Sequence, residues 1–237
     1  MTMKEVMNIM ENMCQSSIRG IVMVCLALLP IQNLMALYYP DIDAFYMVVL
    51  PFLMIFMLLN VMHTRRCKRM VQKEIFQNYQ LLPVKNSSIL ISEFLFTVAS
   101  YVLLVAIQYC SWALLYMQLK GSIPIQANTF FFYTLTNIWL NPIVMFQFYD
   151  IFLMLLTLAL LAVNFMFLHF SIAMKDDRGI AILLTVICCI AMVALTLFPS
   201  AYLPLFIILI ALSAFIINEM KDLLTIQRKE QSYEENN

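Results

Sequence analysis

Residues able to do chemistry are few in this chain and far apart. There are two histidines, His63 and His169, and six cysteines, Cys14, Cys25, Cys67, Cys110, Cys188 and Cys189. An intramembrane hydrolase needs clustered metal ligands, or a nucleophile beside its base, as in an HExxH pair on one helix face. Neither histidine has that setting or a paired acidic motif beside it, and no two cysteines have the CxxC spacing. The cysteines read as reduced packing residues. A Walker-type phosphate loop needs several glycines ahead of Lys-Ser or Lys-Thr. The three glycines, Gly20, Gly121 and Gly179, are not so placed. No catalytic residue, metal site or nucleotide site is expected on this chain.

What remains is polar groups inside apolar runs. Asn60, Gln108, Asp150 and Asn164 are the candidates for a substrate pathway or gate, with His169 and Glu93 near span ends. Each has a plainer alternative. The amides also tie neighbouring helices by hydrogen bonds. Glu93 also fits a position facing cytoplasmic water or a basic partner, and Asp150 one at the outer headgroups. The nineteen methionines suit a surface that accepts varied apolar shapes, or plain lipid-facing bulk.

The elements that position these groups are membrane spans. Hydrophobic residues make up 63% of the chain and charged ones 12%, whereas a soluble domain is about half apolar and about a quarter charged. A helix needs roughly 20 apolar residues to cross a bilayer core of about 30 Å. Residues 20–40, with Pro30 inside, give a first span, and 44–62 a second. The third covers 89–119, charge-free from Phe94, and the fourth 150–174. Gly179 to Asn218 is free of charge and too long for one crossing. Pro199 and Pro204 divide it into spans at 179–198 and 202–218, because proline removes a backbone donor and clashes with the preceding turn. The expected fold is all-α with six spans and both ends in the cytoplasm.

Charge placement chooses this arrangement over one with a seventh span at 129–149. With six spans, two of the 14 Lys and Arg precede span one and six sit in the loop after span two. Two more follow span four and three lie in the tail from Glu219, leaving only Lys120 outside. A seventh span would leave eight inside and six outside. Residues 120–149, rich in Phe, Tyr and Trp beside Asn and Gln, then form an outer loop. It holds an interfacial or re-entrant element, or is an ordinary loop collapsed on the helix tips. The first 19 residues carry apolar positions at helical spacing (Met3, Val6/Met7, Met10, Met13/Cys14) and read as an amphipathic interface helix, not a cleaved signal peptide. Packing on a partner protein is compatible with the same pattern.

The longest cytoplasmic loop, 63–88, carries most information. On a helix, Val71, Ile75, Tyr79 and Leu82 share one face and Arg65, Arg66, Arg69 and Lys73 another. Pro83 ends the helix, and Asn86-Ser87-Ser88 offers a cap for the third span. Binding of anionic headgroups accounts for the basic face, but not for an apolar-proline tip between two long helices. Glu74 followed by Gln80-Leu81-Leu82-Pro83-Val84-Lys85-Asn86-Ser87-Ser88-Ile89-Leu90 resembles the corresponding loop of ABC-2 type transporter permeases. Span count, chain length and the N-terminal helix also fit that family. Glu93 departs from it, since many relatives carry a basic residue there.

The resemblance implies the membrane subunit of an ATP-driven exporter in a bacterial cytoplasmic membrane. Glu74, Leu81, Leu82, Pro83, Val84 and Lys85 would form the coupling element that meets separate ABC ATPase subunits, which carry ATP and Mg. A second copy, or a similar permease chain, would complete the pathway among membrane lipids. No nucleic-acid partner is expected. The cargo implied by analogy is an amphipathic peptide or a hydrophobic small molecule. The competing classes are an intramembrane enzyme, independent of any ATPase, and an ion-coupled carrier, which usually shows internal repeats and midplane charges. The charge bias makes a first test. A reporter fused at Asn237 is expected to be cytoplasmic and a cysteine at Asn128 to be labelled from outside; an external tail would rule out six spans.

Overall fold

The structure is a computed structural model, and it describes residues 3–38, 50–72, 86–119 and 148–174, together with 183, 186, 207, 210–218 and 220. Every described residue except Ala27 is helical. That outcome follows from the solvent. Inside a bilayer no water is present to satisfy backbone N–H and C=O groups, so the chain must satisfy its own by i→i−4 bonding.

Five helices are traced: α1 (Met3–Leu26), α2 (Leu28–Tyr38), α3 (Leu50–Gln72), α4 (Asn86–Leu119) and α5 (Phe148–Met174). Residues 210–218 are helical as well. Among the described residues, three stretches are long and apolar enough to cross a membrane: Met3–Met35, Ser87–Ser111 and Leu155–Ile172. The described residues are thus those of a helical membrane protein. The second span is described only from Leu50, and α3 runs on into the basic sequence after His63. Spans five and six, and the outer loop, fall largely outside the described residues.

The residues expected as an interface helix and the start of the expected first span lie on one helix, since α1 passes through Gly20 without interruption. The irregularity comes instead at Ala27. Pro30 lacks an N–H, and in a regular helix its ring would crowd the carbonyl of Leu26 four residues earlier. Backbone bonds Ala27 N→Met23 O (3.1 Å) and Ile31 N→Ala27 O (3.3 Å) carry the chain past it into α2. In α1 the buried stripe is Val6, Ile9 and Met13, while Met3 and Met7 are exposed. The apolar face is wide enough that one edge packs and the other is left for lipid. Likewise α4, with 34 residues, rises about 51 Å and exceeds a core of about 30 Å.

The chain divides into two compact units within these helices. One comprises 1–16, 63–98 and 159–237; the other comprises 17–62 and 99–158. In the second unit, Gly20 has no Cβ where one would meet the Met62 methyl at 2.7 Å, the small-residue contact by which membrane helices approach closely. Tyr101 donates to Asn60 Oδ1 (2.5 Å) and its ring lies 5.0 Å from that of Phe56. Gln32 and Gln108 exchange two side-chain hydrogen bonds, 2.9 and 3.1 Å, with both residues buried. This amide pair ties α2 to α4. In a double-mutant cycle, Gln32→Leu and Gln108→Leu are expected to show a coupling of about 0.6 kcal/mol, and at most about 1.7, measured by unfolding in detergent. Additive effects would mean that the pair does not act as a unit.

Candidate functional site

The first unit holds a polar cluster assembled from three helices. Residues three and four apart share a helix face. On α3 that rule aligns His63, Arg66 and Cys67; on α4 it aligns Glu93, Phe96 and Thr97; on α5, Phe165 and His169 are four apart. All eight are buried. The neighbouring turn of α4 is tied to α1 within the same unit: the Ser92 hydroxyl lies 2.7 Å from Ser88 O and 3.1 Å from Val6 O, and Ser88 donates to Glu5 Oε2 at 3.2 Å.

Glu93 is the hub. Arg66 Nη2 donates to its Oε1 in a buried ion pair. The Cys67 thiol is 3.6 Å from the same oxygen and His63 Nδ1 is 4.0 Å from it. Oε2 has no partner among the described residues. The Arg66 guanidinium also stands 4.2 Å from the centroid of the Phe96 ring, a cation–π geometry, and 3.3 Å from His63 Nδ1, which accepts from it. The His63 ring meets Phe96 edge-on at 5.7 Å and stacks parallel on His169 at 5.7 Å and 8°. The Phe165 ring is tilted by 40° to that of His169, with centroids 6.3 Å apart.

Burial, then the Arg66 charge, pushes His63 well below the ordinary histidine range, so its ring is neutral and its approach to Glu93 is not a second ion pair. Burial, then the adjacent Glu93 carboxylate, pushes the Cys67 thiol well above its usual range. With its proton in place, the thiol can donate weakly to Glu93 Oε1. Both nitrogens of His169 lack a partner among the described residues, as do Arg66 Nε and Nη1 and Thr97 Oγ1.

The sequence-derived candidates are distributed differently. Asn60 and Gln108 sit in the second unit, in the hydrogen bonds given above. Asn164 is buried on α5 and donates to Leu160 O at 2.8 Å, its own oxygen without a partner among the described residues. Asp150 lies on α5, its side chain outside the description. Glu74, Leu81, Leu82, Pro83, Val84 and Lys85 lie outside the described residues. Glu93 has the basic partner that its position allowed. The two histidines, remote in sequence, stack. Arg66, grouped with a basic face, is buried, whereas Arg65 and Arg69 are exposed. The spacing HisXXArgCys on one helix and GluXXPheThr on the next sets each group on one side of its own helix, but does not say which helices meet.

Comparison with known proteins returns no match among family models, curated proteins or solved structures. The functional reading rests on the residues and their geometry.

The ion pair sets a stability expectation. Glu93→Ala leaves the Arg66 charge buried and uncompensated, at a cost of about 3–5 kcal/mol. The double replacement Arg66→Met with Glu93→Leu removes both charges and should recover most of that loss. Denaturant unfolding in detergent measures both; a double variant as unstable as Glu93→Ala would show that the loss is one of packing.

Proposed function

We propose that this chain is the permease subunit of an ATP-driven exporter in a bacterial cytoplasmic membrane, coupled to separate ATPase subunits through the loop after α3. The observation that carries the reading is the buried Arg66–Glu93 pair. It joins the last turns of α3 to the first turns of α4, the two helices that flank residues 73–85. A loop pushed by a partner would otherwise splay its two flanking helices. Separating them here means pulling apart two buried charges, which costs about 3–5 kcal/mol. The helices therefore move together, and a push on the loop becomes a tilt of both.

The resemblance of Glu74 and Leu81-Leu82-Pro83-Val84-Lys85 to the ABC-2 loop supports the same reading. The apolar tip suits the dry centre of a contact and the flanking charges its orientation. Two copies, or this chain with a similar one, would enclose the path, and the ATPases would hold ATP and Mg. A second reading, an intramembrane enzyme, draws on the meeting of His63 and His169 beside Cys67 and Glu93. Activity that persists with no ATPase present would favour it.

Leu82→Asp places an unpaired charge at the centre of the contact. ATPase association and ATP-dependent export should both fall by several tens of fold, at about 1.4 kcal/mol per tenfold, while insertion is unchanged. The clamp is tested separately: Arg66→Met with Glu93→Leu should keep ATPase association but lower transport per ATP hydrolysed. Intact association and transport in Leu82→Asp, with loop release from anionic vesicles when Arg65 and Arg69 are replaced by Gln, would make the loop a lipid anchor.

A further inference from the structure

We propose that Cys67, Glu93 and His169 form a metal site of the zinc class, built from a thiolate, one carboxylate oxygen and one imidazole nitrogen. The inference is independent of the export reading. The three ligand atoms lie within 4.8 Å of one another and all three residues are buried. They come from α3, α4 and α5, so no sequence motif announces them.

A second observation points to a ligand. His169 is 0% exposed, and neither of its ring nitrogens has a partner among the described residues. A neutral imidazole carries one donor and one acceptor, and buried polar groups of native proteins are almost always satisfied. Glu93 presents the same pattern, with Oε1 held by Arg66 and Oε2 without a partner among the described residues. One ion among the three residues takes a lone pair from His169 and one from the Glu93 carboxylate together.

The ligand types suit the ion. Zinc takes cysteine sulfur at about 2.3 Å, histidine nitrogen at about 2.0–2.1 Å and carboxylate oxygen at about 2.0–2.2 Å. Tetrahedral ligands at those lengths stand about 3.3–3.7 Å apart, so the cluster closes by about 1 Å through side-chain rotation. Arg66 serves as the outer partner that orients the carboxylate, as ligating carboxylates usually require. Binding replaces the Cys67 thiol proton, which leaves to solvent as the sulfur–metal bond forms. The ion brings two positive charges and the lost proton removes one, so the cluster gains one net positive charge beside Arg66. Three protein ligands leave a fourth position, and that charge favours an anion such as hydroxide in it.

The test uses the full chain in detergent, freed of metal by a chelator and titrated with Co2+ as an optical probe. One equivalent should produce a thiolate-to-cobalt charge-transfer band, and added Zn2+ should abolish it. Cys67→Ser should lose the band and His169→Gln should lose stoichiometric zinc. Cys25→Ser and Cys110→Ser should keep both. As a check that needs no variant, zinc should raise the unfolding temperature of the unaltered chain. The proposal is overturned by a thiolate band that survives in Cys67→Ser, by equal zinc content in His169→Gln, or by an unaltered chain that binds neither ion at micromolar concentration. Tight binding of Cu+ alone would overturn the zinc class.

Discussion

A full positive and a full negative charge buried side by side determine how the first unit is put together. Arg66 and Glu93 are 8% and 0% exposed, and neither is tolerable there without the other. The pair therefore fixes the register of α3 against α4. Once Arg66 meets Glu93, helical spacing places His63 and Cys67 on the same side of α3 and Phe96 and Thr97 on the same side of α4. His63 then presents its ring to His169. A buried ion pair is weak evidence for stability, because desolvation offsets most of the attraction. Its value here is selection: a slip of either helix by one residue would strand a charge.

The bilayer sets the wider frame. It demands helices, because an unmet backbone group in hydrocarbon is costly, and it tolerates apolar side chains on the outside. Met23, Met54 and Met57 are more than half exposed, which in water would be a liability. In the second unit, two pairs of buried polar side chains instead bond to each other, Gln32 with Gln108 and Asn60 with Tyr101. The same solvent that makes the outside apolar makes these few internal bonds specific, since water does not compete for them.

Much of the architecture was legible because it depends on long-range composition. Helices α2, α4 and α5 overlap runs that a count of largely charge-free residues picks out, and the cap sequence at Asn86 coincides with the start of α4. The placement of Glu93 was half legible, as a carboxylate near a span end must meet water or a cation. The cluster was not legible, for a physical reason. Cys67, Glu93 and His169 come together through the packing of three helices, whereas periodicity reports only which residues share a face of one. Arg66 shows the same limit. It was grouped with Arg65, Arg69 and Lys73 as a basic face, yet it is buried while Arg65 and Arg69 are exposed. Its nearness to His63 and Cys67 on the helix marked it, but only the partner on α4 explains it.

The pair and the metal cluster make opposing demands on one carboxylate, and the two oxygens resolve them. If Arg66 occupied both, no ligand atom would remain and the guanidinium would repel a dication at contact distance. With Arg66 and the Cys67 thiol both at Oε1, the second oxygen has no partner among the described residues and leaves the carboxylate a lone pair for a ligand. Thiolate and carboxylate together then match the charge of a divalent ion, and Arg66 remains the one excess charge, stabilised by the Phe96 face at 4.2 Å. That ring lowers the cost of an Arg66 charge no longer fully compensated. Metal at the cluster would weaken the hold of Glu93 on Arg66, and with it the bond between α3 and α4. The cluster and the helix clamp are thus coupled through a single side chain, and whatever changes the charge beside Oε2 changes how firmly the two helices flanking the loop are held together.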